Sequence, residues 1–243
     1  MLFHLAALLL APVFLMQGKW VRWVTPQLPE PEGAREGVWG AGPDLRLMIL
    51  GDSAAAGVGV ASQAEALSGR LVAELGEFFR VSWKLVAQSG HDSGEVLEML
   101  QAEPPATFDV VVVSVGVNDV TGFTAIKRCR ANLLAIANVL TARHHSRLIL
   151  FSSLPPMHAF PALPQPLRWW LGERAKQLNA LVYDLAQSHP CCRFVNIEFP
   201  FEPHYIAGDG FHPGQAAYAH WASQLVGLVQ ESWTSAAIVK DKH

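Results

Sequence analysis

Leu45-Arg46-Leu47-Met48-Ile49-Leu50-Gly51-Asp52-Ser53 is a short apolar run that stops at Gly-Asp-Ser. It predicts a strand, and the small residues Ala54 to Gly59 predict a turn leading into a helix. In open α/β sheets, ligands bind beyond the carboxyl ends of the strands. A Ser carried to that edge presents its hydroxyl to whatever binds there.

The chain downstream repeats the pattern. Ser62-Gln63-Ala64-Glu65 has the spacing of a capping box, and Leu67, Leu71, Leu75 and Phe78 then fall on one helical face. Val81 to Ala87 predicts a second strand, ended by Gln88-Ser89-Gly90-His91-Asp92 and followed by a helix carrying Val96, Leu97 and Leu100. The unbroken Val run within Phe108 to Val115 suits a central strand buried on both faces, and it ends in Gly116-Val117-Asn118-Asp119. Ile126, Leu133, Ile136 and Leu140 stripe the next helix, and Arg147 to Phe151 is a fourth strand. A proline-rich loop from Ser152 to Pro166 leads to a helix from about Leu167 to Gln187, with Leu171, Leu178, Val182 and Leu185 facing inward. Arg193 to Ile197 is a fifth strand, and Pro213, just after Asp209-Gly210-Phe211-His212, opens the last helix. Five strands alternating with helices predict an α/β domain with a five-stranded parallel sheet covered on both faces. Ser53, Gly90, Asn118 and the Asp209–His212 loop then share one edge.

The remaining sequence sets the boundaries. Leu2 to Met16 is apolar apart from His4, and Lys19 and Arg22 follow with Trp20 and Trp23 between them. Residues 1–23 therefore read as a hydrophobic N-terminal segment, a signal peptide or an anchor. The expectation is a membrane-associated or exported protein (periplasm or cell envelope), with membrane contact through residues 2–23. The competing reading is a helix packed on its own domain. Residues 24–44, rich in Pro, Gly and Glu, read as a linker, 45–235 as the domain and 236–243 as a C-terminal tail.

Several function classes are excluded. A net charge of -3 leaves no basic footprint for nucleic acid. The three cysteines, Cys129, Cys191 and Cys192, form neither a disulfide framework nor a C-x-x-C metal pair, and no H-E-x-x-H occurs. Gly57-Val58-Gly59 fails as a dinucleotide fingerprint because Ser62 holds the third glycine's place. G-x-S-x-G, the nucleophile elbow of standard α/β-hydrolases, is absent.

A Ser hydroxyl is a weak nucleophile until a neighbouring base takes its proton. His suits that task near neutral pH, and a carboxylate on its other nitrogen fixes the tautomer. Asp209 and His212 are three residues apart, so one tight turn can bring both to Ser53. Acyl transfer also needs donors for the developing oxyanion. The candidates are the backbone N–H groups of Ser53 and Gly90 and the side-chain amide of Asn118. Asp52, Asp92 and Asp119 read as turn or cap residues. His144, His145, His189 and His243 read as exposed or helix-end residues.

Gly51-Asp52-Ser53, Gly90, Gly116-Val117-Asn118-Asp119 and Asp209-Gly210-Phe211-His212-Pro213 resemble, in order, the four sequence blocks of the SGNH, or GDSL, hydrolases. Longer stretches around Ser53, Asn118 and Pro155 resemble a bacterial subset with a hydrophobic N-terminus. Ala54 departs from the usual Leu after the Ser. The resemblance implies a three-layer α/β/α, flavodoxin-like fold, with Ser53 as nucleophile, His212 as base, Asp209 as its partner, and Ser53, Gly90 and Asn118 as the oxyanion hole. It implies hydrolysis of small-molecule esters, with no cofactor. The expected function is a serine ester hydrolase for short acyl chains acting through an acyl-enzyme. The alternatives are a lysophospholipase, an acyl-thioesterase or a carbohydrate O-deacetylase and, outside enzymes, a catalytically silent flavodoxin-like binding module. Met157, Phe160 and Leu163 of the proline loop are the candidate substrate pocket.

Overall fold

The computed structural model describes residues 2–200 and 202–240. Two features of the central strands fix the architecture. Strands β2 (Asp44–Gly51) and β4 (Val110–Ser114) are parallel neighbours, with Leu47 opposite Val110 and Gly51 opposite Ser114. From Leu47 to Leu50 and from Val110 to Val113, successive side chains enter opposite cores. Leu45, Leu47, Ile49, Val110 and Val112 pack on one side, and Met48, Leu50, Val111 and Val113 on the other. A strand buried on both faces must be apolar at every position, which is why these runs do not alternate.

The other parallel strands are β3 (Arg80–Ala87), β5 (Leu148–Ser152) and β6 (Cys192–Val195). The sixth strand, β1 (Glu36–Trp39), pairs antiparallel with β3, and the order across the sheet is β1-β3-β2-β4-β5-β6. Helices α3 (Leu67–Leu75) and α8 (Gln215–Lys240) cover one face. Helices α4 (Ser93–Ala102), α6 (Ile126–Ala142) and α7 (Leu167–Ser188) cover the other. Two short helices, α2 (Ser53–Ala56) and α5 (Val117–Thr121), follow β2 and β4 at the carboxyl edge. The result is a three-layer α/β/α domain.

The sheet has six strands rather than five, and the extra one lies in the stretch expected to be a linker. All four residues of β1 are exposed, so burial imposes no apolar pattern there for a sequence to show. Hydrogen bonds hold the stretch instead. Glu30 accepts from Ser89 N–H at 2.7 Å, Arg35 pairs with Glu30 at 2.8 Å and also donates to the Ala87 carbonyl, and Gln63 N–H donates to the Glu32 carbonyl at 2.9 Å.

The N-terminal segment is helix α1 (Leu2–Val24), docked on α7. Phe14 stacks on Trp170 at 5.1 Å, and Gln17 donates to the Gln165 carbonyl and accepts from Leu167 N–H. Among the described residues no helix is long and apolar enough to cross a membrane.

Other boundaries shift locally. The Ser62–Glu65 capping box does not form, because α3 starts only at Leu67 and Ser62 forms a bridge to Glu32. Phe79, not Phe78, is the buried ring. Pro213 precedes α8 by two residues and bridges to Ile206. His144 is buried rather than exposed, with Nδ1 3.1 Å from the Ala106 carbonyl. The expected tail 236–243 continues α8 through residue 240, and 241–243 lie outside the described residues.

Ile49→Ala tests the fold. Ile49 is fully buried on β2, so the substitution should cost about 2–5 kcal/mol in urea unfolding.

Candidate active site

Of the parallel strands the chain lays down β2 first, steps to β3 on one side, then crosses back to β4 on the other. Such a reversal opens a crevice at the carboxyl edge. Ser53 therefore sits in the middle, with the Gly90 turn after β3 and the Asn118 turn after β4 on either side.

Gly51 makes the turn at the end of β2 tight. A Cβ on it would lie 1.9 Å from the Ser114 carbonyl oxygen, so only glycine allows β2 to end this close to β4. Asp52 N–H donates to the same carbonyl at 3.0 Å, and the Asp52 side chain caps α2 by accepting from Ala54 N–H at 3.1 Å. Ser53 is thus the first residue of α2, where the helix dipole favours negative charge. Gly59 plays a matching part. At φ +112°, it admits the Pro213 carbonyl to 2.2 Å from where a Cβ would stand, which brings the His212 loop over α2.

That loop is a compact hairpin, with Ala207 N–H donating to the His212 carbonyl at 2.8 Å and Gly214 N–H to the Tyr205 carbonyl at 2.8 Å. Asp209 Oδ1 accepts from the N–H groups of Phe211 and His212, and Oδ2 lies 2.6 Å from His212 Nδ1. His212 Nε2 lies 2.9 Å from Ser53 Oγ. With Nδ1–H donating to the carboxylate, Nε2 is left to accept the Ser hydroxyl proton. Burial pushes the Asp209 carboxyl up, but the His212 side chain and the two backbone N–H groups outweigh it and hold it below the usual carboxylate range. The arrangement can carry a proton from Ser53 to an imidazole whose positive charge an ionised carboxylate stabilises.

Asn118 is the second residue of α5, and its Nδ2 donates to the His91 carbonyl at 2.9 Å. An amide nitrogen carries two hydrogens, so one remains for a ligand. Gly90 stands in an exposed turn, the same turn that Glu30 grips at Ser89.

The sequence reading missed a brace behind these donors. Asp119 is fully buried and accepts from Ser93 N–H at 2.9 Å and from Ser93 Oγ at 2.6 Å. Asn132 Nδ2 donates to Ser93 Oγ, and Cys129 Sγ approaches Asp119 at 3.3 Å. Asp119 so ties the helix after the Gly90 turn to the helix bearing Asn118. An acid following Asn118 was visible in the sequence, but its partner lies 26 residues away and no local pattern joins them. Asp92, by contrast, forms the capping box with Glu95 that a cap residue implies.

An apolar cavity of about 80 Å³ opens beside Ser53, walled by Leu154, Phe160, Ile197, Phe199 and Trp221. Of the three expected pocket residues only Phe160 lines it, in edge contact with Phe211 at 4.9 Å. Met157 and Leu163 are buried in the core under α7 instead. Ile197, Phe199 and Trp221 carry no sequence signal as pocket residues, since they look like any other apolar side chain until the fold is closed. Among the described residues no cluster of three His, Cys, Asp or Glu could hold a metal ion.

Asp52 is buried, and its Oδ2 makes no hydrogen bond. Burial pushes its pKa from the ordinary 3.8 up to about 7, against the pull of the Ala54 N–H and His212. The folded state therefore holds this proton more tightly than the unfolded chain does. Its contribution to stability is greatest in acid and is lost as pH rises from the unfolded value through about 7. Asp52→Asn stays neutral throughout. In urea unfolding, the variant should gain on the wild type by about 2–3 kcal/mol between pH 5 and pH 8.

Comparison with known proteins bears on the family and the fold. Residues 49–220 match the model of the GDSL-like Lipase/Acylhydrolase family. A GDSL-like esterase of Mycobacterium tuberculosis is 28% identical, over 90% of this chain and 76% of that protein. Among solved structures, a carbohydrate esterase family 2 enzyme of Corynascus thermopiles superposes with a TM-score of 0.62 at 13% identity, covering 86% of this chain and 69% of that one. The psychrotrophic esterase EstA from Pseudoalteromonas sp., solved with monoethylphosphonate as inhibitor, superposes with a TM-score of 0.53 at 18% identity, covering 78% and 98%. Those two likenesses carry the fold, and the family match spans well over half of the chain. The chain belongs to the GDSL-like lipase/acylhydrolase family of ester hydrolases.

Proposed function

We propose that the protein hydrolyses small carboxylic esters with short acyl chains through an acyl-enzyme on Ser53. The observation that carries this reading is the continuous line of short contacts from Ser53 Oγ through both nitrogens of His212 to Asp209. His212 Nε2 takes the hydroxyl proton as Ser53 Oγ bonds to the ester carbonyl carbon, and the carbonyl electron pair moves onto oxygen. The amides of Ser53 and Gly90 and the free hydrogen of Asn118 Nδ2 receive that oxyanion. Collapse expels the alcohol, protonated by His212. Water then gives its proton to His212, attacks the acyl carbon and releases the acid, which restores Ser53.

The short-chain assignment rests on the cavity. Its free volume of about 80 Å³ is far below that of a drug-sized site, and its walls are apolar and rigid. Pro155 and Pro156 line it, and Ala54, a small side chain, leaves room beside the Ser.

Ser53→Ala should lower turnover of p-nitrophenyl butyrate by about four orders of magnitude or more while leaving the urea midpoint near that of the wild type. A folded variant that still turns over the ester would overturn the acyl-enzyme. Failure of the wild type to label with a fluorophosphonate would favour a silent binding module. Asn118→Ala should lower kcat about 100- to 1000-fold, the usual loss for one oxyanion donor. Along a series from acetate to palmitate, kcat/KM should peak at the short end.

A further inference from the structure

We propose that the outer face of α1 seats on an anionic phospholipid bilayer, with the helix lying in the plane of the headgroups and the domain held against them. Helix α1 has two faces, and both are apolar. Phe14 and Val21, seven residues apart, are buried against the core, with Ala7 and Leu10 packed beside them. On the opposite side Leu9, Met16, Trp20 and Trp23, at i, i+7, i+11 and i+14, point away from the domain, with Leu8 and Leu15 next to them. Leu9 is 72% exposed and Trp23 84%. Of the fourteen large apolar side chains exposed among the described residues, seven belong to this one helix. Scattered apolar residues are ordinary on a protein surface, but a continuous stripe of them is a docking face.

The charges on this helix choose the occupant. Lys19 sits within the exposed face and Arg22 at its border, both are exposed, and neither makes an ion pair among the described residues. No Asp or Glu precedes Glu30 in the chain. A second α1 packed here would offer these cations no carboxylate, and would bury them in an interface core from which charge is usually depleted. A headgroup layer accepts all three features together. Leucines enter the acyl boundary, indole rings sit at headgroup level, and lysine and arginine meet lipid phosphates.

The geometry also fixes the mode of attachment. The contacts of Phe14, Gln17 and Val21 with the α7 side of the domain keep one face of α1 on protein. Among the described residues no helix, α1 included, is long and apolar enough to cross a bilayer. Helix α1 can therefore lie on a membrane while remaining docked. Gln17 holds the end of the loop whose Phe160 walls the cavity, so the docked face adjoins the carboxyl edge of the sheet.

Co-sedimentation of the whole chain with vesicles tests the proposal, using pure phosphatidylcholine and phosphatidylcholine mixed with phosphatidylglycerol. The expected result is binding to the mixed vesicles that weakens with salt. Lys19→Ala with Arg22→Ala should weaken it about 30-fold, since each cation near an anionic surface contributes a comparable share. Leu9→Glu with Trp23→Glu should abolish it. The second pair lies outside the active site, so p-nitrophenyl ester hydrolysis should be unchanged, and the urea midpoint reports an intact fold whether or not the ester is turned over. Protein left in the supernatant, equal binding to both vesicle types, or undiminished binding by Leu9→Glu with Trp23→Glu would overturn the proposal. So would a homodimer in light scattering that this variant dissociates while the wild type ignores vesicles, which would assign the face to a second copy.

Discussion

The close approach of Gly51 to the carbonyl of Ser114 is the constraint on which the site depends. Two parallel strands, each buried on both faces, end at the same height, and the chain must leave one of them without touching the other. A side chain at position 51 would push β2 and β4 apart at the point where both turns begin. With glycine there, Asp52 stays bonded to β4 while Ser53 starts a helix above it. The sheet thus sets the distance between nucleophile and Asn118 turn through backbone, which is stiffer than any side-chain contact.

Three buried carboxyl groups surround this junction, and their environments give them different protonation. Asp209 receives two backbone N–H groups and an imidazole, enough to outweigh burial and keep it ionised. Asp52 accepts the Ala54 N–H, and burial outweighs it, raising its pKa to about 7. Asp119 has Ser93 and Cys129 as partners, yet burial still raises its pKa. Asp119 and Asp209 have three donors each, so the balance between burial and the kind of partner, an imidazole for Asp209 alone, decides which acid carries charge. That ordering places the charge on the acid that faces the histidine and reduces it on the two that only hold turns together.

Much of this was legible in the chain. The central strands announce themselves because two-sided burial leaves unbroken apolar runs in them, Leu47–Leu50 and Val110–Val113. The four blocks are legible because each is a turn at a strand end, where glycine, aspartate and asparagine have local reasons to occur. What could not be read is held by long-range or backbone bonds. Strand β1 has no buried residue to advertise it, and the Asp119–Ser93 brace spans two helices. The cavity wall mixes residues from the proline loop, the turn after β6 and α8, and only packing tells Phe160 from its buried neighbours Met157 and Leu163.

The stretch between α1 and the sheet has a consequence for anyone trimming the protein. Cutting at residue 45 to separate the catalytic layers from the helix removes β1, and with it the strand that covers the edge of β3. A bare edge pairs with other chains, so the shortened protein becomes prone to sheet-to-sheet aggregation. The same cut takes Glu30 and Arg35 away from the turn that carries Gly90. Residues 30–39 are the hem of the sheet rather than a tether, and a clean separation has to fall between Thr25 and Pro29.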